Sequence, residues 1–336
     1  MSTHTAAPPG PALLELMHGY WMTAAVHHAA RLRLADRVAV SPRSIAELAT
    51  EAGVDASALR RLVRALASIG IFAHDDEGRV ALTPMAEALR TDVPGSLHAM
   101  ALMRGSEWQW RAWRDLGHSL DTGETAFDHV FGDGLFAYLG SHPEDADVFN
   151  GAMGSHAAHT HAAVADAYDF SGLRTIVDVG GGHGTLLAAI LERYPDARGV
   201  LFDLPAVVAS APAIEGVEAV AGDFFETVPR GGDAYVLSHI VHDWDDSKAV
   251  ALLRRVREAI GDTDARLLAC EMVVPEGDEP HLSKLLDLEM LVCTGGVERT
   301  EAEYAVLFEA AGFELTRVVP SASPTSVVEG RPVRVA

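Results

Sequence analysis

Between residues 175 and 320 the chain alternates short apolar runs with helical stretches, and this alternation constrains the fold more than any other feature. The runs read "TIVDVGGG", "GVLFDLP", "VEAVAGDFF", "DAYVLSHIV", "ARLLACEMVV" and "FELTRVVP". Between them "TLLAAILERY", "KAVALLRRVREAI" and "TEAEYAVLFEAAG" carry apolar residues at helical spacing. A strand wetted on one face alternates apolar and polar residues. These runs do not, which predicts burial on both faces. Apolar runs separated by helices of ~10–15 residues predict βαβ units and a mostly parallel sheet, an α/β Rossmann-like fold.

The start of the chain follows a different plan. Residues 12–40 place Leu13, Leu16, Met17, Tyr20, Trp21, Ala24, Ala25 and Val26 at helical spacing. The stripe is broader than one amphipathic face requires and predicts burial on several sides. Helical periodicity in Ile45, Ala46, Leu48 and Ala49 stops at Gly53. Asp55 or Ser57 is placed to cap a second helix through Leu66, with Gly70 to end it. "IFAHDDEGRVALT" reads as strand, turn and strand. Helix–turn–helix followed by a hairpin is a winged helix, set in an otherwise all-α N-terminal domain.

A winged helix often reads DNA, and Arg60, Arg61 and Arg64 make its second helix locally basic. A transcription regulator with a ligand-binding C-terminal domain is therefore a rival reading. Charge argues against it. The chain of 336 residues carries a net charge of −22, yet residues 1–100 hold nine Lys/Arg against ten Asp/Glu. Nearly all the excess falls in residues 101–336, and such a field repels phosphate backbones, so no nucleic-acid partner is expected. No apolar run approaches the ~18–20 residues of a membrane span, and no basic and apolar leader opens the chain. A soluble, cytoplasmic protein without a membrane partner is expected. Cys270 and Cys293 lie in apolar stretches and read as buried free thiols.

Residues 97–170 read as largely helical and rich in large side chains, among them Trp108, Trp110, Trp113, Phe127, Phe131, Phe136, Tyr138 and Phe149. "MGSHAAHTHAAVADAY" follows, with His156 and His159 three apart on one helix face. The expected division is 1–96 for the N-terminal domain, 97–165 for a helical linker and pocket region, and 166–336 for the α/β domain.

"IVDVGGGHG" is a strand ending in an acid and a glycine turn that opens a helix. A dinucleotide fold would need a third glycine where this chain has Thr185. The spacing here sets Asp178, Gly180, Gly182 and Gly184 at alternate positions. "LFDLP" puts Asp203 at the end of the next strand, where a carboxylate can accept both ribose hydroxyls. "GDFF" puts Asp223 at the third strand end, beside Phe224 and Phe225, to accept adenine amino hydrogens while a ring packs on the base. Three successive strand ends thus describe a nucleoside without a pyrophosphate, and S-adenosyl-L-methionine fits.

"GGDAYVLSHIVHDWDD" raises a separate question, because a buried strand empties into two histidines, three aspartates and a tryptophan. Three readings are open: a metal site using His239, His242, Asp243, Asp245 and Asp246; a catalytic base; or a solvated polar loop. No second ligand cluster at a recognisable spacing supports the metal, and none is expected. Asp245 and Asp246 are placed to cap a helix beginning near Ser247.

With "VDVGGGHG", "FDLP", "GDFF", "HDWDD", the acid in "ACEMVVPEG" and "GGVERT" all present, the chain resembles a known family over nearly its whole length. It is similar to the class I S-adenosylmethionine-dependent small-molecule O-methyltransferases, which include plant caffeic-acid-type and bacterial polyketide-tailoring enzymes. The resemblance implies a winged-helix domain used for homodimerisation. It implies cofactor contacts from Asp178, Gly180, Gly182, Asp203, Leu204, Asp223, Phe224 and Ser238. It further implies His242 as general base, flanked by Glu271 and Glu298 that orient and support the imidazolium. A small aromatic acceptor is implied, contacted by Trp110, Phe149, Met153, His156, Asp243 and Met290. His159 and His161 read as helix-face residues. "CTGG" departs from the plant pattern, which turns the expectation toward a bacterial aromatic polyketide or similar natural product. Some relatives perform non-methylating tailoring reactions; the intact His242, Glu271 and Glu298 set favours methyl transfer.

Overall fold

The computed structural model describes residues 8–333, the side chains of residues 156 and 158 apart. The chain forms two compact units. One is built from Met1–Arg111 with Leu139–His156, the other from Ala112–Tyr138 with Ala157–Ala336.

In the first unit, helix Ile45–Ala52 begins at a capping box, in which Ser44 and Glu47 each accept from the other's backbone N–H. It ends at Gly53, which takes the left-handed conformation (φ 68°) that a side chain would resist. Asp55 caps helix Ala56–Ser68 by accepting the Ala58 N–H at 2.7 Å. Strands β1 (Phe72–His74) and β2 (Val80–Leu82) pair antiparallel. Leu34, Leu48, Leu59, Val63, Leu66, Phe72 and Val80 are buried beneath them. The helix–turn–helix and hairpin of the sequence reading are both present. The apolar stripe behaves differently from the expectation. Within one chain helix Pro9–Met17 buries none of its residues, and Leu13, Leu16, Met17, Tyr20 and Trp21 are exposed.

The second unit is built on a seven-stranded sheet. Its strands are β3 (Thr175–Val179), β4 (Arg198–Asp203), β5 (Val217–Ala221), β6 (Ala234–Ser238), β7 (Arg266–Glu271), β8 (Phe313–Pro320) and β9 (Ser326–Pro332). Their order is β5-β4-β3-β6-β7-β9-β8. The first five are parallel, and β3, β6 and β7 are buried along almost their whole length, as their unbroken apolar runs require. Separate apolar clusters fill the two faces. One is centred on Val177, Tyr235, Leu252, Leu267 and Phe308, the other on Ile176, Leu187, Leu201, Val236 and Leu268.

β9 departs from the sequence reading, which did not foresee it. It runs antiparallel to both β7 and β8. A parallel return needs a crossover of a dozen or more residues, and only residues 321–325 join β8 to β9. Gly330, Pro332 and the charged Glu329 and Arg331 hide the strand from a pattern search. Glu329 is nevertheless almost fully buried, accepting from Tyr168 at 2.5 Å and from Arg317 at 2.9 Å.

β4 and β5 extend the sheet to one side of β3, whereas β6 joins its other side. The strand order reverses between β3 and β6, and in open α/β sheets ligands bind beyond the carboxyl ends of the strands at such a point. The glycine-rich turn and the "SHIVHDWDD" segment leave the sheet at those two ends.

Candidate active site

The carboxyl ends of β3, β4 and β5 carry the residues expected to hold a nucleoside. Gly180 takes φ 73°, and a side-chain carbon there would come within 2.7 Å of Ile240, so the turn closes only on glycine. Its N–H and that of Gly182 are held from the next strand, by the Phe202 carbonyl at 2.8 Å and by Asp203 Oδ2 at 2.8 Å. Asp203 Oδ1 accepts the Leu204 N–H at 2.7 Å, so the carboxylate is locked in place with lone pairs to spare. Leu204 itself is exposed at the rim. Asp223 accepts the Phe225 N–H at 2.8 Å, and the adjacent Phe224 ring lies beside Gly180. Asp178 is buried, with neither carboxylate oxygen hydrogen-bonded, and burial together with the Asp203 charge pushes it up to about 7. A glycine cradle, two anchored acids with spare acceptor capacity and an unsatisfied buried acid fit an adenosine-containing zwitterion.

Ser238 ends β6 and meets a residue that the sequence reading had assigned to a plain helix face. The His161 ring lies 3.1 Å from Ser238 Oγ through Nε2 and 2.7 Å from Thr185 Oγ1 through Nδ1. Nothing local in "HTHAAV" signals this, because its partners are 24 and 77 residues away.

Beyond Ser238 the chain turns sharply. His239 takes φ 54°, rare for a residue with a side chain, and Val241–Asp243 form one turn of 3₁₀ helix. Glu271, at the end of β7, accepts the N–H groups of Ile240 at 3.1 Å and Val241 at 2.8 Å through one oxygen and so fixes this turn. The buried His242 ring then faces three acids. Nδ1 lies 2.6 Å from Glu298 Oε1 and 3.7 Å from Glu271 Oε2, and Nε2 lies 3.6 Å from Asp243 Oδ1. The two flanking glutamates are therefore not equivalent: Glu298 holds the ring, and Glu271 holds the backbone that carries it.

Burial alone would push His242 down. The charges of Glu271, Asp243 and Glu298 outweigh it and raise His242 to about 10. Burial pushes Glu271 up to about 7 and Asp243 up to about 6, with the His242 charge opposing both shifts.

Two further residues place Glu298 against His242, and neither was singled out from sequence. A side-chain carbon on Gly296 would overlap the His242 carbonyl and lie 2.6 Å from the Asp243 carbonyl carbon. Only glycine allows the loop in, and the Val297 N–H then bonds the His242 carbonyl at 2.8 Å. Arg299, wholly buried, donates to the Val241, Trp244 and Val297 carbonyls and to Asp246 at 2.7 Å. Asp245 caps helix Asp246–Ile260 as expected. Asp246 does not cap; it is the first helical residue and pairs with Arg299.

Potential metal ligands also gather here. His239, His242 and Glu271 bring ligand atoms within 4.8 Å of one another. The sharp turn brings the two histidine rings to 5.3 Å, while Asp245 and Asp246 point to other partners. Trp244 packs among Phe224, Phe225 and Phe136. Met290 is buried on helix Leu282–Cys293 and touches Thr294. Both cysteines are buried.

The remaining expected acceptor contacts belong to the first unit. Trp110 lies on helix Glu107–Arg114 with its ring against Tyr20. Phe149 is half-buried and Met153 exposed on helix Pro143–Ala167. The side chain of His156 lies outside the described residues.

Two family models match the chain, an O-methyltransferase domain over residues 113–314 and an O-methyltransferase dimerisation domain over residues 14–92. A phenazine O-methyltransferase of Lysobacter antibioticus is 46% identical over 335 residues, covering 98% of each chain. CalO1, a methyltransferase in calicheamicin biosynthesis solved with S-adenosylhomocysteine bound, superposes with a TM-score of 0.86 at 37% identity, over 99% of this chain and 100% of that one. NcsB1, an O-methyltransferase from neocarzinostatin biosynthesis, was solved with S-adenosylmethionine and 2-hydroxy-5-methyl naphthoic acid. It superposes with a TM-score of 0.78 at 35% identity, over 93% and 96% of the two chains.

Proposed function

Because the chain belongs to the S-adenosylmethionine-dependent O-methyltransferase family with a dimerisation domain, we propose that it methylates a phenolic hydroxyl of a small aromatic natural product, with His242 as general base. The observation that carries this reading is the His242–Glu298 pair at 2.6 Å, on the segment that leaves β6 where the strand order of the sheet reverses. With Nδ1 committed to Glu298, Nε2 is the nitrogen left to take the acceptor's proton. When bound, S-adenosylmethionine supplies an electrophilic methyl group and a sulfonium charge that opposes a second positive charge on His242. Asp203 and Asp223 hold the ribose and the adenine, and Phe224 packs on the base. Glu298 keeps the ring oriented and steadies the imidazolium once the proton has moved. Much of the rate then comes from holding the two reactants in line, where effective molarity supplies up to ~7–11 kcal/mol. Asp243, on the Nε2 side, and Met290 are offered as acceptor contacts, with Trp110, Phe149, Met153 and His156 as further ones.

The natural products in the names of the relatives support an aromatic acceptor of bacterial tailoring type. The dimerisation model over 14–92 and the exposed apolar side chains of residues 13–22 support a homodimer. The functional division follows: 1–96 for dimerisation, 97–165 for the acceptor and 166–336 for the cofactor. No helix among the described residues is long and apolar enough to cross a membrane.

The test is a panel of phenolic acceptors with methyl-labelled S-adenosylmethionine, run on the wild type and on His242→Ala. Label should enter a hydroxyl, and turnover of the variant should fall by roughly 10²–10⁴, the usual worth of a positioned base. S-adenosylhomocysteine affinity should stay within about twofold, about 0.4 kcal/mol. Near-wild-type turnover of His242→Ala at neutral pH on a non-acidic phenol would remove the base from the mechanism.

A further inference from the structure

Two buried carboxylate oxygens beside His242 are left over by the arrangement described above. Glu271 gives one oxygen to the turn after β6, and Glu298 gives one to the His242 ring. Neither Glu271 Oε2 nor Glu298 Oε2 has a hydrogen-bond partner among the described residues. Buried acceptors in that state call for a donor or a cation. Glu271 Oε2 lies 3.7 Å from His242 Nδ1 and 3.9 Å from His239 Nδ1. One ligand atom from each of His239, His242 and Glu271 falls within 4.8 Å of the other two.

Ligands held at ~2.0–2.2 Å by a tetrahedral ion stand about 3.4 Å from one another, and both edges from Glu271 come within about half an ångström of that spacing. The His239 ring is also held from its far side. Its Nε2 meets Thr325 Oγ1 at 3.0 Å, the kind of outer hydrogen bond that metal-binding histidines make. Glu298 Oε1, 2.6 Å from His242 Nδ1, stands ready as a fourth ligand. Imidazole nitrogens mixed with carboxylates suit zinc, whereas magnesium and calcium take oxygen ligands.

We propose that His239, His242 and Glu271, with Glu298 as fourth ligand, form an inhibitory site for zinc or a divalent cation of similar chemistry. The ion takes the place of the proton on His242 Nδ1, and that proton leaves to solvent. The neutral ring then carries its one N–H on Nε2. That nitrogen has no lone pair left for the acceptor's proton, so the bound ion switches the base off. The inhibition rests on the reading of His242 as general base; the binding site does not.

The experiment titrates zinc into the chelator-treated full-length enzyme by calorimetry, with turnover of a phenolic acceptor measured at each occupancy. Wild type should bind zinc with a dissociation constant of about 1 μM or lower. Turnover should fall in step with occupancy and return when a chelator is added, and magnesium should do neither. Asparagine tolerates the left-handed backbone at residue 239 (φ 54°). His239→Asn should therefore keep metal-free turnover within about twofold, bind zinc about tenfold or more weakly, and escape inhibition. Glu271→Gln, read by zinc binding alone, should weaken the affinity to a similar extent, and thermal melts establish that both variants fold. Zinc affinity unchanged in both variants, or absent from wild type at about 0.1 mM, would overturn the site. Zinc bound through His239 with turnover untouched would overturn the inhibition, and with it His242 as base, while the site stands. A wild type that methylates no acceptor would sink the enzyme reading and leave the binding measurement to decide the site.

Discussion

His242 illustrates how three neighbouring charges can reverse what burial does to a side chain. A buried imidazole ordinarily gives up its proton readily, yet this one is raised to about 10 by Glu271, Asp243 and Glu298. The base-competent form is the neutral ring, so kcat/KM should climb with pH into the alkaline range. Replacing Glu298 by Gln removes one of the charges that hold the proton. His242 then titrates lower, and the rising limb should move toward acid by on the order of one pH unit. Its plateau should also drop, because the imidazolium has lost its charged partner. A pH–rate profile of Glu298→Gln with an unmoved limb would mean that another group titrates.

Asp178 shows the opposite balance, with burial raising it from an unfolded value of 3.8 to about 7 and no hydrogen bond to compensate. Its contribution to stability is present below about pH 4 and is lost as pH rises toward 7, because the charged form is penalised only in the folded chain. In the free protein Asp178→Asn should therefore stabilise by on the order of 1–4 kcal/mol at pH 8 and by far less at pH 4.5. Melting curves at the two pH values check the sign.

Among elements, the loop of residues 294–300 does the most to assemble the site. It leaves helix Leu282–Cys293 and passes so close to the His242 backbone that Gly296 has no room for a side chain. It then presents Glu298 to the ring and Arg299 to three carbonyls. Gly296→Ala should push the loop away by the width of a methyl group. A misplacement of about 1 Å can cost about 10² in rate, and that is the loss expected in kcat. S-adenosylhomocysteine affinity should hold, since Asp203 and Asp223 stand on other strands. Wild-type kcat in a folded Gly296→Ala protein would show that the close approach does not matter to turnover.

For the whole molecule, the largest unbalanced feature is the apolar surface of helices Pro9–Met17 and Gly19–Arg31. Leu13, Leu14, Leu16, Met17, Tyr20, Trp21 and Met22 are all exposed. Contiguous apolar surface of this kind marks an association site, and one shared by identical chains favours a twofold dimer. Light scattering should give about twice the chain mass of 35.7 kDa. The double variant Leu16→Glu, Trp21→Glu should run as a folded monomer or a weakened dimer. A monomeric wild type at micromolar concentration would leave this face to some other partner.

Local patterns were enough to read the parallel sheet and the strand ends at Asp178, Asp203 and Asp223, since burial on both faces and tight turns impose their own residue types over a few positions. The helix–turn–helix and hairpin were legible for the same reason, in Gly53, Asp55 and the turn before Val80. Spacing along the chain could not show that His161 reaches Ser238 and Thr185, that Glu298 and not Glu271 holds the His242 ring, or that Arg299 braces the turn. Those contacts join residues 24 to 77 positions apart, and packing alone decides them. β9 was hidden because its glycine, proline and charges break the apolar pattern, and only the pairing with β7 and β8 makes it a strand. Periodicity measures how a segment meets water or core, and says nothing about which distant segment supplies the other side.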